Sequence, residues 1–422
     1  MSRVESIAGE EVLDSRGRPT VAATCRLEGG ATARVSVPSG ASTSPVEAVE
    51  LRDGDPRRYR GLGCRTAAAN VSGPINQAVA GRELDQESFD QVLIDLDGTA
   101  QKGRLGANAL LAASMAFAIA RSHESLLQPF EQFARDAGLA PHRLPRPTVN
   151  LFSGGLHAGK QIAIQDVLVV SLSARTIDDA LAMTSDVYAA AIELTRKRYG
   201  SRALVADEGG LAPEFASTDA MLADAVQSLI DAGLRPGVDA ALCVDVASTH
   251  VYESELYRID SAALERAQMI DRVVGWIKDF PIVSVEDALV FDDWEGWSEL
   301  RRRVAGRSIV LADDMTATNR SRIDQAAEAG AADALLLKVN QAGTLSDGRR
   351  ALEAARSHGW TVTVSARSGE TEDAWLSDLA VGWEAEQLKV GSITRSERLA
   401  KWNRLLSIER QTDLPIAAWP SR

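Results

Sequence analysis

The chain has 422 residues, 45% of them hydrophobic and 25% charged, the balance of a folded globular protein rather than a disordered one. Acids outnumber Lys and Arg by 59 to 46, and the formal net charge of -13 is offset by no basic run, which argues against nucleic acid and anionic membrane as partners. An anionic substrate then has to be captured locally, by metal ions or by a few focused cations.

The N-terminal MSRVESIAGEEVLDSRG mixes acids and bases and carries no apolar signal segment. Three widely spaced cysteines, Cys25, Cys64 and Cys243, form neither a metal-ligand pair nor a disulfide framework. Both features lead us to expect a cytoplasmic protein. TVAATCRLEG (20–29) and ATARVSVPSG (31–40) alternate as strands, with a hairpin at Gly29-Gly30. VPSGASTSPVEAVELRD (37–53) is predicted as a small-residue loop running into a helix. Usually such a loop is a flexible connector, but it also suits anion binding or a lid. Helical patterns follow at about 64–80 and 106–135; the apolar part of the second, 107–120, is too short to span a bilayer and reads as a buried helix. Three prolines in APHRLPRPTVN (140–150) mark a boundary, so residues 1–138 are expected as an α+β domain and 139–422 as a second domain.

Beyond that boundary short apolar runs alternate with amphipathic helical segments, the pattern of βα units in a parallel barrel or a doubly wound sheet. How the runs end is the informative feature. ALCVDVA delivers Asp245, PIVSVEDA Glu286, SIVLADDM Asp313, ALLLKVNQ Lys338, TVTVSARS Arg367 and EQLKVGS Lys389. One such charge is a strand end meeting solvent. Six, at βα spacing, favour a TIM-like barrel whose active site lies at that end, because unpartnered buried charges are costly.

Asp245, Glu286 and Asp313 offer oxygen ligands suited to a hard cation such as Mg²⁺, although a salt-bridge network accounts for them equally well. Lys338 follows four apolar residues, where burial and nearby cations favour the neutral amine, so it is a candidate base for a proton α to a carboxylate. Lys389 is placed to hold the resulting enediolate. Arg367 and Ser368 form a cup for a phosphate. VADEGGLAPEF (205–215) sets Glu208 before a glycine pair, and the segment 150–170 carries His157 on a glycine loop and Asp166 at the start of an apolar run. Taken singly, these three are more often a solvated acid, a loop histidine and a strand-end charge.

Together these stretches resemble the enolase family. The resemblance runs through DSRGRPT (14–20), SGAST (39–43), EAVELRD (47–53), DEGGLAP (207–213), VEDA with DDWEGW (285–297), ADDMTATN (312–319), LLLKVNQAGT (335–344), RSGET (367–371) and RSERLAKWNRLLSIE (395–409), in the family's order. It implies a modified TIM (β/α)8 barrel with an N-terminal α+β capping domain, in a homodimer or a larger assembly of dimers. It implies two Mg²⁺ ions, the first on Asp245, Glu286 and Asp313 and the second joined by Ser42 when the loop closes. Lys338 matches the base for the C2 proton, and Glu208 the acid assisting departure of the 3-hydroxyl. Lys389 matches the carboxylate contact, Arg367 and Ser368 the phosphate contacts, and His157 a substrate-loop histidine. The implied substrate is a small 2-phosphoglycerate-like acid.

Departures from the family cluster at the phosphate and leaving-hydroxyl side. Ala366 stands where enolases carry a histidine, and Asp166 where they carry a glutamate that partners Glu208. Ser153 replaces an asparagine, Ser44 a glycine, and Lys389 to Ile393 read KVGSI rather than Lys-Thr-Gly-Ala-Pro. Three readings follow. The favoured one is a specialised paralogue eliminating water from a phosphoglycerate analogue, as carboxyphosphonoenolpyruvate synthase of phosphinothricin-type antibiotic pathways does, with Ala366 giving room beside Arg367. The others are an ordinary glycolytic enolase making phosphoenolpyruvate, and a non-enzymatic binding protein on the same scaffold. Retention of base, acid and metal ligands argues against the last.

Overall fold

The computed structural model describes residues 1–40, 44–200 and 202–420. The chain opens with β1 (Ser2–Leu13), β2 (Pro19–Leu27) and β3 (Thr32–Ser36), joined by β4 (Glu83–Leu84) in an antiparallel sheet ordered β3-β2-β1-β4. The hairpin forms where Gly29-Gly30 predicts it, closed by Gly30 N–H to the Leu27 carbonyl at 2.9 Å. The helix Ala107–Glu124, buried on nearly every face, packs across β2 and β3.

Three details differ from the expected elements. The pattern at 106–135 is two helices, Ala107–Glu124 and Pro129–Ala137, because Pro129 has no N–H to continue the first and instead starts the second behind a Gln128–Glu131 capping box. A helix at Gln86–Asp97, capped by Asp85 on the Ser88 N–H, is additional to the expected elements. No helix follows the SGAST loop: residues 44–55 form an irregular strap. Its N–H groups go outward, Ala48 to the Gln341 carbonyl at 2.9 Å, Val49 to Gln101 at 2.7 Å and Asp53 to Gly63 at 2.7 Å. Those long-range bonds satisfy the backbone that a helix would otherwise satisfy locally.

The second part closes on itself. Strands β5 (Arg146–Ser153), β6 (Asp166–Ser171) and β7 (Ala240–Asp245) are followed by a small outer sheet of β8 (Tyr252–Glu253), β9 (Leu256–Ile259) and β10 (Ala262–Leu264). Strands β11 (Ile282–Glu286), β12 (Ile309–Ala312), β13 (Ala334–Leu337), β14 (Thr361–Ser365) and β15 (Gln387–Gly391) complete a barrel ordered β11-β12-β13-β14-β15-β5-β6-β7. The modified (β/α)8 barrel is therefore present, with one reversal: β6 runs antiparallel to both neighbours. Its first residue, Asp166, is thereby in register with Ser153 and Asp245, the last residues of β5 and β7. A strand start is delivered to the mouth that the other strands reach with their C-terminal ends. Among the described residues no helix is long and apolar enough to cross a membrane.

The opposite end is closed by the C-terminal tail. Leu144 N–H donates to the Pro415 carbonyl at 2.8 Å, Ala417 N–H donates to the Leu144 carbonyl at 2.7 Å, and buried Arg146 donates to the carbonyls of Ala417, Ser171 and Ala174. Trp419 packs on two inner clusters, Leu168, Val170, Ala241 and Cys243 on one side and Ile309, Leu311, Ala334 and Leu336 on the other. Trp419→Ala is expected to lower unfolding free energy by about 2 kcal/mol, less than a fully buried tryptophan because the ring is only half buried. The check is a denaturant midpoint, with kcat unchanged.

Candidate active site

All six predicted strand-end charges stand at one barrel mouth. Asp245 and Glu286 end β7 and β11, Asp313 and Lys338 follow β12 and β13 by one residue, Arg367 follows β14 by two, and Lys389 lies in β15. All but Lys338 are buried, and Lys338 is nearly so. They answer one another's charge. Lys389 Nζ donates to Asp245 Oδ2 at 2.9 Å and to Glu286 Oε2 at 2.7 Å; Lys338 Nζ donates to Asp313 Oδ2, and Gln341 Nε2 to Asp313 Oδ1 at 2.9 Å.

The electrostatics correct one expectation. Burial is the largest influence and pulls the Lys338 ammonium down, but the carboxylates around it, Asp313 first and then Glu286, leave its pKa raised rather than brought towards neutrality. Apart from Asp313, burial, Arg367 and Lys389 favour the neutral amine, while Glu286 opposes. Lys389 is likewise raised: burial lowers it, and Asp245 and Glu286 more than compensate. Burial and then Asp245 push the Glu286 carboxyl well up, whereas burial of Asp245 is outweighed by Lys389, which lowers it.

The three expected metal ligands are held by two different lysines. Asp245 and Glu286 face each other across the Lys389 ammonium, while Asp313 turns to Lys338 and Gln341. The acidic group that Asp313 joins includes Asp287 and Asp314, with ligand atoms within 4.8 Å. Asp287 is a brace there, accepting from the backbone N–H groups of Asp313 at 3.1 Å and Asp314 at 3.0 Å. The donor set nevertheless fits a hard dication: it is all oxygen, buried, and two ammonium groups already occupy the positive side of its contacts. Ser42 lies outside the described residues.

The anion cup is built by both parts of the chain. Arg367 Nη1 donates to Glu47 Oε2 at 3.0 Å and to Asn340 Oδ1 at 3.2 Å. Burial disfavours its charge, and Glu47 and Glu50 overcompensate, so the guanidinium is raised. Arg16 Nη1 reaches Ser368 Oγ at 3.1 Å, and Ser39 and Gly369 exchange backbone bonds at 2.8 and 3.0 Å. A Cβ at Gly369 would collide with Asp14 and Arg16, so only glycine lets the two segments meet. Buried Arg398, from the helix Ser396–Gln411, holds the turn from behind through the carbonyls of Arg367 and Ser368, both at 2.7 Å. Ala366 lines the same mouth.

Across the ring from β13 stands a second cluster. Ser153 Oγ donates to Asp166 Oδ1 at 2.5 Å, His157 Nδ1 lies 3.0 Å from Asp166 Oδ2, and His157 Nε2 lies 3.9 Å from Glu208 Oε1. Asn150 Nδ2 donates to Glu208 Oε2 at 3.0 Å. The two departures from the family pattern at Ser153 and Asp166 are thus one contact. Glu208 is set by its glycines: Gly209 has φ +90° with Thr394 and Ser392 where a Cβ would go, and a Cβ at Gly210 would strike Ser153.

Burial pushes Asp166 up despite His157, while burial of Glu208 is outweighed by His157 and Arg398, which bring it down. Burial acts to lower His157, but Glu208 and then Asp166 raise it to about 9. Its charge therefore contributes stability that is complete below pH 6.5 and is lost as pH rises through about 9. Histidine NMR is expected to show His157 titrating near pH 9, and His250, lowered by burial, below its usual value. Assignment by His157→Asn checks this.

Sequence reasoning gave no role to Arg16, Glu47, Asn150 or Gln341. Arg16 and Glu47 fall in the quoted stretches 14–20 and 47–53, but their partners lie more than 300 residues away.

The comparison with known families decides among folds that share such a mouth. The family model described as Enolase, N-terminal domain matches residues 4–132, and that described as Enolase, C-terminal TIM barrel domain matches residues 141–415. The chain belongs to the enolase family. Membership supports an enolase-superfamily hydro-lyase in general, in a family that typically binds Mg²⁺.

Proposed function

We propose that the protein is an enolase-type hydro-lyase that removes the C2 proton and the 3-hydroxyl of a 2-phosphoglycerate-like acid to give an enolpyruvate product. One observation carries this reading. Lys338 follows β13 and the Asp166–His157–Glu208 cluster surrounds β6, the strand diametrically opposite in the eight-strand ring, and both line one mouth. A base and an acid on opposite sides of a bound acid suit loss of H and OH from opposite faces.

In this proposal Lys338 Nζ takes the C2 proton as the neutral amine, the form that burial, Arg367 and Lys389 favour once Asp313 is drawn away from it. Lys389 holds the substrate carboxylate as charge builds on its oxygens. Glu208 delivers a proton to the departing 3-hydroxyl, with His157 as the reservoir that Asp166 and Ser153 orient. Arg367 and Ser368 hold the phosphorus end once the substrate displaces Glu47. Asp245, Glu286 and Asp313 would hold Mg²⁺, with Ser42 expected at a second ion. When bound, the metal supplies positive charge against the carboxylate oxygens as the carbon acid ionises.

The finer reading is the specialised paralogue acting on an analogue bulkier at phosphorus, such as the carboxyphosphonoenolpyruvate synthase substrate. A methyl at Ala366, beside Arg367 on the mouth, supports it. The test compares kcat/KM for 2-phosphoglycerate and its phosphonoformyl analogue. We expect elimination with the analogue preferred by about tenfold or more, the range that pocket shape supplies. A preference for 2-phosphoglycerate would return the protein to the ordinary enolase reading, and elimination from neither would refute the hydro-lyase. Ala366→His is expected to shift the ratio about tenfold towards 2-phosphoglycerate, measured with the same two acids.

A further inference from the structure

A cavity of about 660 Å³ lies beside the mouth, walled by the glycine loop after β5, the segment around Phe215–Asp219, the turn at His250 and the outer strands β9 and β10. Its size suits a small organic ligand. Gln165 lines both this cavity and the mouth, and its Nε2 donates to Asp245 Oδ2 at 3.1 Å. His250, on the cavity wall, is within electrostatic reach of Asp245, Asp313 and His157. Among the described residues Gln165 alone lines both spaces.

The charges of the cavity do not cancel. Asp260 is committed to the Thr218 N–H at 3.1 Å and the Thr218 hydroxyl at 2.9 Å. Asp219 accepts from Trp276 Nε1 at 2.7 Å and sits 3.7 Å from Arg272. Lys160 and Arg258 are exposed and have no side-chain partner among the described residues. Among the described residues three buried polar atoms on the wall also lack partners: His250 Nδ1, Gln161 Oε1 and Gln165 Oε1. Unanswered cations beside two orphaned amide oxygens and a ring nitrogen describe a ligand that is anionic and carries hydrogen-bond donors.

We propose that this cavity is an oxyanion-binding chamber adjoining the mouth. Lys160 and Arg258 take a carboxylate or phosphorus oxyanion, and Gln161, Gln165 and His250 meet its hydroxyl or N–H groups. The oxyanion is either the far end of an elongated substrate seated in the mouth, which rests on the reading given above, or a free anion.

The test uses the full-length chain and the Lys160→Ala/Arg258→Ala double variant, both substitutions being at exposed positions. Inorganic phosphate is titrated into each by calorimetry, and KM is measured for whichever acid is turned over. A phosphate-binding component weakened tenfold or more in the double variant, with KM unchanged, assigns a free anion. A KM raised tenfold or more with kcat within about twofold assigns the substrate's far end. Phosphate binding and KM both unchanged, in a variant with unaltered Tm, overturn the proposal. The phosphate titration needs no turnover, so it decides the chamber even if no elimination is found.

Discussion

Lys338→Ala is expected to lower kcat by about 10⁴-fold, the upper end of the range for a positioned acid–base group. The same variant should lose exchange of the C2 hydrogen with solvent deuterium, followed by NMR on the substrate. The size of the effect follows from the site: among the described residues Lys338 is the side chain that comes off β13 opposite the acid cluster, with its Nζ inside the mouth. Truncation leaves Asp313 held by Gln341, so the mouth keeps a brace and Tm should change little. Loss of kcat with exchange intact would move the base elsewhere.

Glu208→Gln is expected to cost about 10²–10³-fold in kcat while leaving C2 exchange in place. The two variants then divide the reaction into carbon-acid ionisation and hydroxyl departure. The amide is isosteric and its oxygen can still accept from Asn150, so the loop keeps its anchors through Gly209, whose carbonyl accepts from Tyr188 and Thr394, both at 3.0 Å. The negative charge that chiefly sustains His157 is lost, so the same NMR titration should find His157 below 9 in this variant. Exchange and elimination falling together would contradict a division of labour between the two sides of the barrel.

Much of this mouth was legible because a strand end that carries a charge writes one residue into an otherwise apolar run. Asp245, Glu286, Asp313, Lys338, Arg367 and Lys389 announced themselves in that way, and the barrel brought all six together. Strand direction leaves no such mark. The apolar run of β6 reads the same in either sense, so the arrival of Asp166 at the mouth by its strand start became visible only in the pairing with Ser153 and Asp245. The strap at 44–55 departs from the expected helix for a related reason. Its apolar and acidic spacing is helix-like, but Glu47 and Glu50 are spent on Arg367, Ser39 and Arg52 rather than on solvent.

Protonation was the least legible level. Burial and neighbouring cations argue for a neutral Lys338, and the carboxylates that face it, Asp313 first and then Glu286, reverse the sign. Which carboxylate faces which ammonium depends on side-chain geometry several strands apart. The Ser153–Asp166 contact shows the converse: two departures that look like separate losses against the family pattern meet in one hydrogen bond of 2.5 Å.

The most direct measurement is stereochemical. The substrate that is turned over is prepared with one deuterium placed stereospecifically at C3, and the geometry of the labelled enolpyruvate is read by NMR. With Lys338 facing the Glu208 cluster across the barrel, the label must appear as the single isomer of anti elimination. The isomer of syn elimination, or a mixture of the two, would mean that proton and hydroxyl leave on one side, and the opposed base and acid would not be the catalytic pair.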